Sequence, residues 1–223
     1  MLLLIDLDNT LVDRAAAFAS WAQSFAREHS GQGSDEAIAD WIIRADRNGY
    51  TPRPQLAGAI SERLGLPGSQ PAIDALVDRL VYEHVELVEP YPGIRDQLAR
   101  LVDDGHRFVI VSNGPTRQQS LKLRRTGVDH AAAGVVISEQ FGVKKPDLRI
   151  FAEGLRLGGA AASDAWMVGD DVAADMVGGR AAGLRTAWVE HGRPWPEPWQ
   201  PTVRAPDVTA ALQAIVRLDD AAG

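Results

Sequence analysis

Short apolar runs, many of them β-branched, recur along the chain, and most are followed by a polar break and a helical period. LLLID (2–6) is the first, RFVIVSN (107–113) the second, GVVIS (134–138) the third, AWMVGD (165–170) the fourth and LRTAWV (184–189) the fifth. VRAP (203–206) predicts a short sixth. Helical patterns follow the second run at 116–125 and the fourth at 172–182. Strands that alternate with helices predict a parallel sheet with helices on both faces. The near-continuous apolar character of the runs fits a sheet buried on both sides.

One region breaks this alternation. From about 14 to 89 there is no convincing strand. Phe18, Trp21, Ala22 and Phe25 fall at i, i+3, i+4 and i+7, and Ile73, Leu76, Val77, Leu80 and His84 hold a helical period over three turns. Both are amphipathic helix signatures. GQGS (31–34), TPRP (51–54) and LPGSQP (66–71) punctuate the region. The expectation is an α/β core from 1–14 and 90–223, with a bundle of four or so helices inserted at 15–89. The aromatic residues Phe18, Trp21 and Phe25 are expected in the core of that insert. RPWPEPWQP (193–201) predicts a loop beside the last strands, with Trp195 and Trp199 in packing or at an interface rather than in catalysis.

Composition narrows the function. The 223 residues are 45% hydrophobic and 24% charged, ordinary for a globular protein with a real core. A net charge of −7 argues against a general nucleic-acid partner, because phosphate contacts need clustered Lys and Arg. The absence of cysteine rules out disulfides and thiolate metal sites. The N-terminal apolar run is too short for a signal peptide, and no stretch reaches the length of a membrane span, so a cytoplasmic protein is expected.

The chemistry gathers where the runs end. In open α/β sheets, ligands bind beyond the carboxyl ends of the strands. The first run ends at Asp6, with Asp8 and Thr10 just after. The second ends at Ser112, Asn113 and Gly114. The fourth ends at Asp170 and Asp171, with Asp175 on the following helix, and Lys145 precedes Pro146 after the third. If these ends converge, each pair of carboxylates at 4 Å repels by about 4 kcal/mol at an effective dielectric of ~20. One lysine cannot balance three or more such charges. A divalent cation can, and an all-oxygen donor set suits Mg²⁺ together with phosphate oxygens. Asp6 then suits a carboxylate nucleophile that attacks phosphorus, and Asp8 a general acid and base. Ser112 suits a donor to the phosphoryl oxygens, and Lys145 a cation that neutralises the nucleophile and the transferring group.

These motifs resemble the haloacid dehalogenase superfamily of phosphohydrolases. DLDNT (6–10) is similar to its first motif, IVSN (110–113) to its second, GVKKPD (142–147) to its third and VGDDVAAD (168–175) to its fourth. The resemblance implies a Rossmann-like core and an all-helical cap that closes over it and selects the leaving group. It implies Asp6, Asp8 and Lys145 as catalytic residues, and Asp6, Asp8 (through its backbone carbonyl) and Asp170 as Mg²⁺ ligands. Thr10, Ser112, Asn113 and Gly114 would bind substrate, with Asp171 and Asp175 competing for the outer position around the metal. Lys145, directly before Pro-Asp, fits the third motif better than Lys144. Gly178-Gly179 departs from the Gly-Ala usual after the fourth motif, which bears on packing rather than chemistry.

The implied activity is Mg²⁺-dependent hydrolysis of a small phosphate monoester through an aspartyl-phosphate. The stretch 112–127 leans toward the branch with nucleotidases and sugar-phosphate phosphatases, and phosphoglycolate remains open as a substrate. Three alternatives use the same fold: a 2-haloacid dehalogenase, which lacks an aspartate where Asp8 stands; a phosphomutase; and a phospho-ligand-binding protein without turnover. Each residue also has a plain structural reading. Asp6, Asp8 and Asp170 can end strands in turns, Ser112 to Gly114 can cap a helix, and Lys145 can be a solvated lysine. Arg44, Arg47, Arg53 and Arg63 of the insert could meet a second anionic group or simply be helix surface charges. The five histidines lack ligand spacing.

Overall fold

Six parallel strands carry the core of the computed structural model, which describes residues 1–29 and 34–221. The expected strands are present: β1 (Leu2–Ile5), β2 (Arg107–Ser112), β3 (Gly134–Ile137), β4 (Ala165–Gly169), β5 (Arg185–Val189) and β6 (Val203–Ala205). Their order in the sheet is β3-β2-β1-β4-β5-β6. The chain steps outward from β1 through β2 to β3, then returns to the other side of β1 with β4. That reversal between β1 and β4 is the topological switch point of a doubly wound sheet. Register aligns the strand ends: Ile5 lies opposite Ile110 on one side and Val168 on the other. Asp6, Ser112 and Asp170 therefore emerge at one edge of the sheet.

In chain order the helices are α1 (Arg14–Glu28), α2 (Asp35–Asp46), α3 (Arg53–Leu64), α4 (Gln70–Tyr82), α5 (Ile94–Asp103), α6 (Thr116–Thr126), α7 (Ser138–Phe141), α8 (Leu148–Gly158), α9 (Gly178–Ala181) and α10 (Val208–Asp220). The strands are buried almost end to end because side chains alternate between two covered faces. Leu2, Leu4, Val109, Val111, Ala165 and Met167 join Ile150 and Phe151 of α8 in one apolar cluster. α5 and α10, which the sequence reading leaves unassigned, supply Leu98, Leu101, Leu212 and Ile215 to the buried set. Asp207 precedes α10, and its side chain accepts from the Ala210 N–H and caps the helix.

The helix expected at 172–182 is two pieces. Residues Val172–Val177 wind as a π-helix before α9 begins. The glycine pair then lets α9 lie close on the sheet, since a Cβ on Gly179 would stand 2.7 Å from the Met167 Cβ. The Pro-rich loop packs as expected, with Trp195 edge-on to Trp188 at 4.9 Å and Trp199 edge-on to Trp195 at 5.0 Å.

The chain divides into two compact units: Met1–Asp13 with Pro90–Gly223, and Arg14–Glu89. Within the second unit, Phe18, Trp21, Ala22 and Phe25 of α1 pack with Ile38 and Ile42 of α2, Leu56 and Ile60 of α3, and Leu76 and Leu80 of α4. The helical period from Ile73 continues past α4 as a 3₁₀ turn, Glu83–Leu87, which buries His84. The loops at 51–54 and 66–71 fall at the start of α3 and between α3 and α4, whereas 31–33 lie outside the described residues. Asp46 is buried between Arg14, at 2.8 Å, and Arg53. Arg63 lies over the Trp41 ring at 4.7 Å, and Arg44 and Arg47 are exposed. No helix among the described residues is long and apolar enough to cross a membrane.

Candidate active site

Asp6 follows β1 directly, and its amide continues the sheet by donating to the Val168 carbonyl at 2.9 Å. The turn after it closes through Leu11 and Val12 N–H groups on the Leu7 carbonyl, with Asn9 at φ 56°, a value that Asn tolerates better than most residues. The turn projects Asp6 and Asp8 from the sheet edge. Asp6 is buried, and its Oδ1 accepts from Lys145 Nζ at 2.6 Å. The same ammonium lies 2.7 Å from Asp175 Oδ1. Oxygens of Asp6, Asp170 and Asp175 all lie within 4.8 Å of one another.

The electrostatics of this cluster are unbalanced. Three buried carboxylates meet one buried ammonium, Lys145, which touches Asp6 and Asp175, and one partly exposed guanidinium, Arg193, which reaches Asp170. Burial, reinforced by Asp6 and Asp175, pushes the Asp170 carboxyl well above the ordinary carboxylate range. Burial also raises Asp6, against the pull of Lys145, and raises Asp175 to about 7. Lys145 is raised as well: burial alone would lower it, but Asp175 and Asp6 outweigh that. The ammonium is therefore firmly charged, while the carboxylates lack enough positive charge to stay ionised comfortably. Hard oxygen donors at this spacing, with excess negative charge, fit a divalent cation.

The remaining expected residues divide by what their side chains touch. Ser112 is buried and its Oγ accepts from Gln119 Nε2 at 2.6 Å. Thr10 is fully buried, and its hydroxyl finds no hydrogen-bond partner among the described residues. Asn113 uses both ends of its amide on the Lys145 backbone: Nδ2 donates to the carbonyl at 3.0 Å and Oδ1 accepts from the N–H at 2.8 Å. It clamps the segment that delivers Lys145. The Gly114 N–H donates to Ser138 Oγ at 3.0 Å. Lys144 is exposed and Lys145 buried. Asp175 sits in the carboxylate cluster. Asp171 instead accepts from the Ala174 N–H at 2.8 Å and caps the π-helical turn, while its own N–H donates to Asp175 Oδ2 at 3.1 Å.

Three further groups escape the sequence reading. Lys122 of α6 places Nζ 2.8 and 2.7 Å from the two oxygens of Asp8. Gln119, also on α6, reaches Asp8 Oδ2 at 3.1 Å. Arg193 Nη2 donates to the Asp170 carbonyl at 2.7 Å and to its Oδ2 at 3.1 Å. The first two leave a trace in the sequence, since the buried face of α6 carries Gln118, Gln119, Lys122 and Thr126 where an ordinary amphipathic helix carries apolar residues. Arg193 leaves none, because only the return of the β5–β6 loop brings it to β4.

The family described as Haloacid dehalogenase-like hydrolase matches residues 3–189. A glyceraldehyde 3-phosphate phosphatase of Pyrococcus abyssi is 30% identical over 84% of this chain and 80% of its own length. Phosphoglycolate phosphatase 1 of Pseudomonas aeruginosa is 29% identical over 86% of this chain and 72% of its own. Among solved structures, the putative HAD-hydrolase YfnB of Bacillus subtilis bound to magnesium superposes with a TM-score of 0.75 at 23% identity, over 97% of both chains. That likeness carries the fold.

Proposed function

This chain belongs to the haloacid dehalogenase-like hydrolases, and from that premise we propose that it is a Mg²⁺-dependent phosphomonoesterase that hydrolyses a small phosphate ester through an aspartyl-phosphate on Asp6. The observation that carries the reading is the meeting of oxygens of Asp6, Asp170 and Asp175 within 4.8 Å of one another, with the Lys145 ammonium on Asp6 and Asp175, and Asp8 two residues beyond Asp6. Relatives named for glyceraldehyde 3-phosphate and phosphoglycolate support a short, polar phosphate ester as substrate.

The residues divide the chemistry as follows. A carboxylate oxygen of Asp6 attacks phosphorus, and the bond from phosphorus to the ester oxygen breaks. The Asp8 carboxyl gives its proton to the departing oxygen. Water then attacks the phosphoryl group and gives a proton to Asp8, and the bond to Asp6 breaks to release inorganic phosphate. Ser112 donates to a phosphoryl oxygen. Lys145 holds Asp6 in place and neutralises charge that develops beside it. Asp6 and Asp170 would hold Mg²⁺ with the Asp8 backbone carbonyl, and Asp175 would stand behind them with Lys145. The cation would supply charge neutralisation between the carboxylates and the phosphate.

Phosphate release from p-nitrophenyl phosphate and a panel of phosphorylated metabolites, with Mg²⁺ and after chelation, tests this directly. Wild-type protein should release phosphate only with the metal, and Asp6→Asn should release none. Full activity in Asp6→Asn, isomerised sugar phosphate in place of free phosphate, or metal-independent chloride release from a 2-haloacid would each overturn it.

A further inference from the structure

α6 turns a polar face inward. Gln118, Gln119, Lys122 and Thr126 are all buried, and Lys122 is only 1% exposed. A lysine ammonium taken out of water costs several kcal/mol unless a partner repays it, and an apolar side chain of similar volume is often neutral or better at such a place. Stability alone therefore does not account for a lysine here. Its head is aimed at the Asp8 carboxylate: Nζ sits 2.8 Å from Oδ1 and 2.7 Å from Oδ2. An ammonium that straddles both oxygens fixes the position and the plane of the carboxyl group.

Gln119 stands three residues earlier on the same helix, so the two side chains share a face. Its Nε2 lies 2.6 Å from Ser112 Oγ, 3.1 Å from Asp8 Oδ2 and 3.3 Å from the Asn113 carbonyl. The Asn113 carbonyl can only accept, and Asp8 accepts once it has given up its proton, so the amide presents its N–H₂ end to them. The hydroxyl of Ser112 then accepts from Gln119, which leaves its own proton to be donated elsewhere. Gln119 Oε1 is buried and meets no donor among the described residues. An amide held with one end unsatisfied points to a demand on its other end.

We propose that Lys122 and Gln119 are a pair of positioning residues for phosphoryl transfer: Lys122 fixes the Asp8 carboxyl for proton transfer to the leaving oxygen, and Gln119 turns the Ser112 proton toward the phosphoryl group. The inference rests on the phosphomonoesterase reading above. The two roles have different kinetic signatures. Loss of proton transfer hurts most when the leaving group is a poor one. Loss of a phosphoryl contact hurts every ester alike.

The experiment measures kcat/KM with Mg²⁺ for a series of substituted phenyl phosphates, from 4-nitrophenyl to 4-methoxyphenyl, in wild type, Asp8→Asn, Lys122→Met, Lys122→Arg and Gln119→Met. The slope of log kcat/KM against leaving-group pKa is the readout. Lys122→Met should lose about 10²-fold on the poorest leaving group and less than about tenfold on 4-nitrophenyl phosphate, approaching the steep slope of Asp8→Asn. Lys122→Arg, which keeps the charge, should return part of the way to wild type. Gln119→Met should raise KM and lower kcat/KM by about tenfold across the series, the worth of one good hydrogen bond, with the slope unchanged. Far-UV circular dichroism checks the fold. Should Lys122→Met not fold, Lys122→Gln, a donor without charge, carries the same comparison with an intermediate slope.

Equal losses across the series in the Lys122 variants would overturn its role, and a steepened slope or an unchanged KM in Gln119→Met would overturn the other. The parent reading fails separately: Asp8→Asn would then keep the wild-type slope, or wild type would hydrolyse none of the series.

Discussion

A methyl group at position 169 offers a severe test of the carboxylate cluster. Gly169 ends β4 immediately before Asp170, and a Cβ built on it falls 2.1 Å from Asp175 Oδ2 and 2.5 Å from its Cγ. Relaxed contacts between heavy atoms begin at about 3.5 Å, so Gly169→Ala obliges the Asp175 carboxylate to retreat by roughly 1 Å or more. Asp175 has no room to do so freely, since it is wholly buried. Its oxygens stand 2.7 Å from Lys145 Nζ and 3.1 Å from the Asp171 N–H. A 1 Å retreat carries both contacts past hydrogen-bond range. Lys145 loses one of its two anchors, and Asp6 shares the disturbance through its 2.6 Å bond to the same ammonium. Misplacement of that size is worth about 10²-fold in rate. Overpacking adds about 1–3 kcal/mol of destabilisation, which leaves the variant foldable. The assay is kcat/KM on p-nitrophenyl phosphate at saturating Mg²⁺, beside Asp175→Ala and the double variant. Gly169→Ala should lose about 10²-fold, and the double variant should lose little more than the worse single one, because both act on the same contact. A Gly169→Ala enzyme within about threefold of wild type, or strictly additive losses, would refute the reasoning.

Other perturbations separate structure from chemistry. Burial would raise the Asp46 carboxyl, but Arg14 and Arg53 outweigh it and hold it below the ordinary range. A carboxyl depressed in the folded state contributes stability that is present above its unfolded value and disappears as pH falls through the folded one. Wild type should therefore lose stability on acidification below about pH 4, and Asp46→Asn should cost about 3–5 kcal/mol at pH 7 and flatten that acid limb, both read from urea unfolding of the full chain. Arg193→Ala removes a donor from the Asp170 carbonyl and carboxylate. It should weaken apparent Mg²⁺ affinity by about tenfold or more while kcat at saturating metal stays near wild type, as a Mg²⁺ titration of rate would show. Asp171→Ala removes the cap on the π-helical turn. It should cost about 1 kcal/mol in thermal unfolding and little activity.

Much of the core was legible because its signals are local. A buried parallel strand is a short apolar run, and each run here ends in the polar residues that mark the sheet edge. Register completes what the sequence implies: once Ile5 pairs with Ile110 and Val168, Asp6, Ser112 and Asp170 have no choice but to share an edge. What stayed hidden depends on partners that only the fold supplies. The split of 172–182 into a π-helical turn and α9 follows from Asp171 capping and from the close seat of Gly179 on Met167. Asn113 reads as a substrate residue by its place after Ser112, yet its amide serves the Lys145 backbone from 32 positions away. Asp171 and Asp175 compete on paper, where the GDxxxxD spacing (169–175) favours Asp175. The helical turn sends one to cap its own backbone and the other into the carboxylate cluster. Lys122 could have drawn notice as a charge on the buried face of α6, but nothing in the sequence names Asp8 as its partner.

In the proposed mechanism a carboxylate oxygen of Asp6 takes the phosphoryl group. Rapid acid quench of the enzyme during turnover of a phosphate ester with Mg²⁺, followed by peptide mass spectrometry, reads this directly. The peptide that holds Asp6 should carry one acid-stable, base-labile phosphoryl group in wild type and none in Asp6→Asn. Phosphate released at the wild-type rate with no such adduct, or with the adduct on another residue, would contradict it.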